Sequence, residues 1–194
     1  MQGAMKMKLA EEKNLAGCCG IYCGLCPRYQ STAKSRCPGC KVLSLTISCK
    51  LYNCCVKKKG LTTCAECADF PCDKYAGFFE WDSFVSHAVC RPNLERIREV
   101  GLEKWLQQQT EKRALLESVL ANYNDGMSRS FYCLAAALMS IDLMKEAVSE
   151  AEAAVSESGG DFSDAKAKAK ILKSLIEDRA FGAGISLQLR KKPK

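Results

Sequence analysis

Twelve of the fourteen cysteines in this 194-residue chain fall between Cys18 and Cys72. Such a density has two physical explanations: a framework of disulfides or a core of metal-bound thiolates. Disulfide frameworks are typical of small secreted proteins, whereas the same pattern in a cytosolic protein more often binds metal. The first residues carry charge but are not followed by the apolar segment that a secretory signal requires. We therefore expect a cytoplasmic protein whose cysteines bind metal.

The spacing of the cysteines indicates which of them share an ion. Two C-x2-C knuckles, Cys23–Cys26 and Cys37–Cys40, are separated by ten residues. This spacing lets four sulfurs converge on one tetrahedral zinc ion. A cross-braced arrangement, in which the first and third pairs share an ion, fits the spacing as well. The second set consists of Cys49, Cys54, Cys64 and Cys67, and two further cysteines remain over, Cys19 and Cys72.

Four other cysteines are the first candidates for residues that bind no metal. Cys18 and Cys55 each stand next to another cysteine, and adjacent cysteines rarely both bind one ion. Cys90 and Cys133 fall in helical contexts, where a cysteine behaves as a small buried hydrophobe. We therefore expect two zinc ions, each held by thiolates from the remaining cysteines.

One subset of the cysteines also suits a different metal. Cys19-x3-Cys23-x2-Cys26 has the spacing by which three cysteines hold a cubane iron–sulfur cluster with one iron left open, as in radical enzymes. Those enzymes place the motif in a long barrel, and nothing after Cys26 alternates strand and helix, so the structural context is missing. An ordinary iron–sulfur cluster with a remote fourth cysteine stays open as the alternative, because thiolates bind both metals.

The residues around the cysteines argue against catalysis. A zinc catalyst needs an open coordination position and usually a nearby acid or base. Glu66 and Asp69 are the only carboxylates between the first and last cysteines of the cluster, and His87 is the only histidine of the chain. His87 could complete a metal site, but packing against a helix is the expected role. We therefore predict a structural metal rather than an enzyme's active site.

The sequence after the cysteine cluster has the apolar periodicity of helices. Pro92 suits the first turn of a helix that Gly101 ends or bends. Further helices are predicted over residues 111–122 and beyond, with Ser128 and Ser163 as N-caps of two of them. The sequence therefore predicts an all-α region of about five helices.

Together these patterns predict a mainly α protein in which a small, irregular, metal-stapled cysteine-rich module is packed on an all-α helical domain. The segment rich in Cys, Gly, Pro and Ser can bury little apolar surface, so metal is expected to supply part of its stability. The basic end of the chain is expected to be mobile. The predicted segments are a polar leader (1–17), the metal-binding module (18–72), the helical domain (73–181) and a basic tail (182–194).

The order of these motifs resembles that of the domain of unknown function 3795 family (DUF3795), which consists of cysteine-rich proteins of bacteria and archaea. The resemblance is carried by Cys19–Pro27, Cys37–Cys40, Cys49-x4-Cys54 and Cys64–Cys72. It continues through Asn93–Leu106 and covers roughly residues 18–150. The family is similar to small zinc-binding proteins and implies no activity. Carried over by position, the family's cysteines fall on Cys19, Cys23, Cys26, Cys37, Cys40, Cys49, Cys54, Cys64, Cys67 and Cys72.

The formal charge of +7 is a weak argument for nucleic-acid binding. It counts every thiol as neutral, and each zinc ion bound by four thiolates lowers the net charge by two. The aromatic residues also fall where a core needs them rather than on an exposed basic face. We therefore expect a protein partner, treat nucleic acid as possible but not favoured, and expect no membrane partner because no apolar run is long enough to span a bilayer.

Overall fold

The computed structural model describes residues 10–43, 49–157 and 164–192. Within these residues the chain is mainly helical, as predicted, and its only β-type pairing is one isolated bridge between Ala16 and Tyr22. The chain divides into two compact units. The first comprises residues 1–110 and 189–194, and the second comprises residues 111–188. Residues 73–110 therefore belong to the same unit as the cysteine-rich segment.

Five helices of ten or more residues occur in the described part of the chain, the number predicted from the sequence. None of the described helices has both the length and the apolar character that crossing a membrane requires. The five are α1 (Cys90–Val100), α2 (Leu102–Tyr123), α3 (Arg129–Leu138), α4 (Ile141–Glu157) and α5 (Ala165–Gly182).

The cysteine-rich segment is built from much shorter elements. Residues 10–15 are helical and precede it. In two C-x2-C knuckles, Cys23–Cys26 and Cys64–Cys67, the first cysteine begins a 3-10 turn and the second cysteine directly follows that turn. The short elements are the 3-10 turns Cys23–Leu25, Cys64–Glu66 and Asp73–Tyr75, the helix Lys50–Tyr52 and the π-helical segment Asn53–Lys58 that continues it.

Helix α1 holds the cysteine-rich segment close to itself. Gly20 has a φ of +93°, and a Cβ atom at this position would lie 2.4 Å from the carbonyl oxygen of Cys90. The side chain of Asn93 donates a hydrogen bond of 2.8 Å to the carbonyl of Gly20. Only glycine combines this backbone conformation with so close an approach of another backbone. The Gly20 position therefore fixes where the first cysteines lie relative to α1.

The predicted helix boundaries are partly right. Pro92 lies in the first turn of α1, and Gly101, with a φ of +83°, ends that helix. The predicted start of a new helix at residue 111 is wrong, because α2 runs without interruption from Leu102 to Tyr123. Residues 107–110 are polar, but none of them is a helix breaker, so the helix continues through them.

The second unit has an apolar core of the usual kind. Helices α4 and α5 pack against each other. The hydroxyl of Tyr132 in α3 donates a hydrogen bond of 3.1 Å to the carbonyl of Tyr123. Each fully buried aliphatic or aromatic side chain contributes roughly 1.5–3 kcal/mol of hydrophobic free energy. The largest buried side chains of this unit are Leu116, Val119, Tyr132, Met139, Met144, Leu172 and Ile176.

The helix caps differ from the predicted ones. Ser128 precedes α3, but its backbone is already helical and its side chain makes no cap bond. Instead, Asp125 Oδ1 accepts hydrogen bonds from the backbone N–H groups of Met127 at 2.9 Å and Ser128 at 2.8 Å. The predicted cap Ser163 lies outside the described residues. Helix α5 is capped by Asp164, whose carboxylate accepts the N–H of the residue two positions on at 2.8 Å.

The predicted mobile tail is instead anchored at Arg190. Its backbone N–H donates to Asp82 Oδ2 at 2.7 Å, and its guanidinium donates to Asp82 Oδ1, also at 2.7 Å. The backbone N–H of Asp82 donates in return to the Arg190 carbonyl at 2.9 Å. The side chain of Asp82 is only 1% exposed. A buried carboxylate needs such a partner, which explains why this part of the tail belongs to the first unit.

Candidate metal centre

The structure gathers the first five predicted ligands into one region, here called the first sulfur group (Cys19, Cys23, Cys26, Cys37 and Cys40). The Cys40 N–H donates to the Cys23 sulfur at 3.5 Å. The thiols of these two residues also interact, which lowers the pKa of Cys40 to about 7 and raises the pKa of Cys23. Burial raises the pKa of the Cys26 thiol, and the nearby charges of Cys37 and Cys40 raise it further. The two predicted knuckles therefore lie side by side.

Several of the candidate sulfurs accept hydrogen bonds from the backbone. Cys26 accepts from the N–H groups of Tyr29 and Arg28, and Cys19 accepts from that of Ile21. Cys49 caps the helix Lys50–Tyr52 and accepts the Tyr52 N–H at 3.5 Å. Such bonds stabilise the thiolate form and are a regular feature of metal–thiolate centres.

A small cavity of about 100 Å³ marks the second region. Its apolar wall is formed by Leu51, Phe70 and Tyr75, and Lys59, Asp69 and Lys74 contribute charged groups. Cys49 is not among the lining residues. The cysteines that line the cavity are Cys54, Cys55, Cys64, Cys67 and Cys72, and the four of them that belong to the predicted set (Cys54, Cys64, Cys67 and Cys72) are here called the second sulfur group.

A lysine and a tyrosine complete the polar surroundings of this cavity. Lys59 Nζ donates to Asp69 Oδ2 at 2.6 Å and to the Cys67 sulfur at 3.1 Å, and these contacts raise the pKa of Lys59. The Tyr75 hydroxyl is buried and lacks a well-oriented hydrogen-bond partner, although it interacts with the Cys64 sulfur. Burial raises the pKa of Tyr75, so this hydroxyl stays protonated and can donate.

Arg98 of α1 holds the loop that carries three of these cysteines. Its guanidinium donates to the carbonyls of Ala65 at 2.8 Å, Cys67 at 2.6 Å and Phe70 at 3.4 Å. It also lies 5.0 Å from the centre of the Phe70 ring. Sequence reasoning missed this residue, because a solvated arginine on a helix is common and its three acceptors are backbone atoms about 30 residues away.

The four predicted spare cysteines are all buried. Three of them, Cys18, Cys55 and Cys90, lie against predicted ligands. Cys18 interacts through its thiol with Cys55 and Cys64, which lowers the pKa of Cys64 to about 3 and raises the pKa of Cys18. Cys90 is fully buried, as expected of a packing residue, and its thiol interacts with that of Cys19. Each of these three cysteines thus touches one of the ten predicted ligands, a relation that cysteine spacing alone does not reveal.

His87 packs within its own loop. Its ring stacks on Phe78 with 4.3 Å between the ring centres. Its Nδ1 lies 3.0 Å from the carbonyl oxygen of the same phenylalanine, and its Nε2 lies 3.2 Å from the hydroxyl of Ser83. Because both ring nitrogens have protein partners, the geometry favours the packing role over the alternative role as a metal ligand.

The donor set suits a thiophilic metal, although the side chains are not in ligating positions. All fourteen cysteines lie in the described residues, and none is in a disulfide. Among the described residues, no group of three or more Cys, His, Asp or Glu side chains has the geometry to hold an ion as it stands. Thiol rotation would therefore have to accompany binding. The backbone N–H donors, the Lys59 cation and the unsatisfied Tyr75 hydroxyl fit a cluster of metal-bound thiolates.

These features define a mainly helical, cysteine-rich protein. Residues 15–77 match the sequence model of a family described as a protein of unknown function, DUF3795, which confirms the resemblance over the cysteine-rich segment. The extension of that resemblance toward residue 150 lies outside the match and stays a prediction. No curated protein matches the chain, and neither does any solved structure.

Proposed function

We propose that this chain is a zinc-binding protein whose two ions have a structural role, and that its surface serves a protein partner in the cytoplasm. One observation carries the proposal: nine of the ten predicted ligands fall into the two sulfur groups, and the tenth, Cys49, caps the helix beside the second group. Four thiolates close the coordination sphere of zinc. Such an ion stabilises the fold and leaves no position for a substrate.

The electrostatics of the second sulfur group support this proposal. Four thiolates around a divalent ion carry a net charge of about −2, which requires nearby cations or hydrogen-bond donors. Lys59 contacts Cys67 directly, and Arg98 binds the carbonyl of the same residue. Tyr75 adds a hydroxyl that can donate to a sulfur. These cationic and donor groups favour an anionic thiolate cluster over neutral thiols at this position.

An iron–sulfur or thiol-redox protein, supporting electron or sulfur transfer, is the second candidate. The backbone N–H groups that point at Cys19 and Cys26 favour it, since hydrogen bonds to sulfur also tune iron–sulfur clusters. Colour distinguishes the two metals. A protein purified without oxygen that absorbs in the visible range holds iron–sulfur, whereas a zinc protein is colourless.

Metal analysis of anaerobically purified protein tests the proposal. We expect two zinc ions per chain. Cys26→Ser should remove one ion and Cys72→Ser the other, since each changes a different sulfur group. Cys133→Ser is the matched control: it changes a buried cysteine of the second unit and should leave the zinc content unchanged. A chain that holds less than one metal ion, or that holds iron in place of zinc, contradicts the proposal.

A further inference from the structure

Three cysteines, Cys18, Cys55 and Cys64, meet beside the cavity, and Cys55 and Cys64 line it. Cys18, Cys55 and Cys64 are 5%, 3% and 7% exposed. They come from three separate segments, and the side chains of all three interact with one another. Cys64 is also one of the predicted zinc ligands, so its oxidation would remove a sulfur from the second sulfur group, whereas Cys18 and Cys55 have no part in the proposed function. Their close association with a third needs its own explanation.

The backbones of Cys18 and Cys64 are joined by one hydrogen bond. The N–H of Cys64 donates a hydrogen bond of 2.9 Å to the carbonyl oxygen of Cys18. Standard bond lengths and a hydrogen bond of this length keep the two Cα atoms within about 7 Å of each other, which is close to the upper limit of the range that a disulfide spans. A bond between the two sulfurs therefore needs rotation of the side chains and little movement of the backbone.

The size of the cavity limits which oxidants can reach these sulfurs. Its volume is about 100 Å³, and Cys64 is one of the residues that line it. One water molecule occupies about 30 Å³ of the liquid, so a molecule the size of two waters fits. Hydrogen peroxide has that size, whereas a peptide disulfide such as oxidised glutathione is several times too large. Tyr75 lines the same space, and its hydroxyl, which interacts with the Cys64 sulfur, can donate a hydrogen bond to a bound oxygen.

We propose that Cys64 and Cys18 form a peroxide-oxidisable dithiol, in which Cys64 reacts through the cavity and Cys18 closes the disulfide. The Cys64 thiolate attacks one peroxide oxygen, the O–O bond breaks, and the other oxygen leaves as hydroxide, which takes a proton from solvent and becomes water. The Cys64 sulfenic acid then reacts with the Cys18 thiol, which forms the S–S bond and releases a second water. Two thiols are oxidised and one peroxide is reduced to two waters.

Mass spectrometry of the whole protein after peroxide treatment tests this inference. Trypsin places Cys18 in a peptide of residues 14–28 and Cys64 in a peptide of residues 60–74, and fragmentation identifies the joined sulfurs. We expect one Cys18–Cys64 bridge, which a thiol reductant reverses. Oxidised glutathione at the same concentration should leave both thiols reduced. A bridge between any other pair, no bridge at all, or equal reaction with both oxidants overturns the inference.

Two variants separate the roles of the sulfurs. In Cys18→Ser, peroxide should leave Cys64 as a sulfenic acid that dimedone captures, or as a bridge to Cys55. An unmodified Cys64 in that variant contradicts its role. Cys133→Ser should form the Cys18–Cys64 bridge as the wild type does. Because the wild-type bridge is measured independently of zinc, a protein without zinc that still forms it refutes the proposed function and keeps this inference.

Discussion

The first unit contains thirteen of the fourteen cysteines, whereas the second contains only Cys133. Before α1, the described elements of the first unit are only three to six residues long, and charged or sulfur-containing side chains hold them together. The second unit consists of long helices whose fully buried side chains are almost all apolar. One chain thus combines two ways of stabilising a fold, and the two should respond to different perturbations.

The difference follows from how much apolar surface each region can remove from water. Helices α4 and α5 present apolar faces to each other over many turns. In its described residues, the cysteine-rich segment has turns of three residues and no helix long enough to present such a face. Short loop-rich segments usually need disulfides or metals. We therefore expect metal to stabilise the first unit and hydrophobic burial to stabilise the second.

Metal removal should separate the two units most strongly. Structural zinc contributes roughly 10–16 kcal/mol to the folding of small thiolate sites. A chelator should therefore abolish hydrogen-exchange protection over residues 18–72, while protection in α4 and α5 largely survives. Unchanged exchange in the cysteine-rich segment after complete metal removal would show that metal does not hold it.

The converse perturbation is a cavity in the second unit. Leu172 is fully buried in α5, and Leu172→Ala should lower the free energy of unfolding of this unit by roughly 2–5 kcal/mol. Leu175→Ala, at a half-buried position of the same helix, should cost less. Chemical denaturation measures both, and zinc content should not change in either. A loss of zinc in Leu172→Ala would show that the units do not respond independently.

Gly20→Ala tests the close approach of the cysteines to α1. The new Cβ would lie 2.4 Å from the Cys90 carbonyl oxygen, at a φ of +93°. Strain at such a position costs about 1–3 kcal/mol, to which the steric clash adds. The matched control is Gly60→Ala, where φ is +66° and no atom lies within 4 Å of the added Cβ. Thermal unfolding should show a larger loss in Gly20→Ala, and equal losses would contradict the clash.

Arg98→Gln should weaken the second sulfur group without unfolding the protein. The variant removes charged donors from three carbonyls of the Cys64–Cys72 loop. Charge-assisted bonds at a partly exposed site contribute roughly 1–2 kcal/mol, which corresponds to about a tenfold loss of affinity for one of the two zinc ions. Competition with a chromophoric chelator measures this loss. Arg96→Gln, which breaks an exposed ion pair with Glu99, should leave both affinities unchanged.

The smallest expected effect concerns the tail. Burial favours a raised pKa for Asp82, but the bonds from Arg190 and the His87 N–H outweigh it and lower the pKa to about 2. A lowered pKa gives stability that is present above the ordinary value near 4 and is lost as the pH falls toward 2. Acid should therefore release the tail at Arg190, and Asp82→Asn should weaken the anchor at neutral pH. Proteolysis near residue 190 measures both, and a tail equally accessible at pH 7 and pH 2.5 would contradict the assignment.

Features that depend on neighbouring residues could be predicted from the sequence. The mainly helical class, the end of α1 at Gly101 and the clustering of cysteines all follow from local patterns. The continuity of α2 was not predicted, because the polar residues 107–110 give no local signal of whether a helix continues through them. It likewise depends on the path of the turn before α3 that Asp125, rather than Ser128, accepts the backbone N–H groups there.

The relations between distant residues were decided by the tertiary structure alone. Cysteine spacing predicted two sets of ligands, but it assigned no contact to Cys18, Cys55 or Cys90. It also gave no sign that Arg98 binds the Cys64–Cys67 knuckle. The anchoring of Arg190 on Asp82 joins residues 108 positions apart. A local pattern records the conformation that a segment prefers, whereas these contacts depend on where the chain returns in space, which is settled only when the whole unit packs.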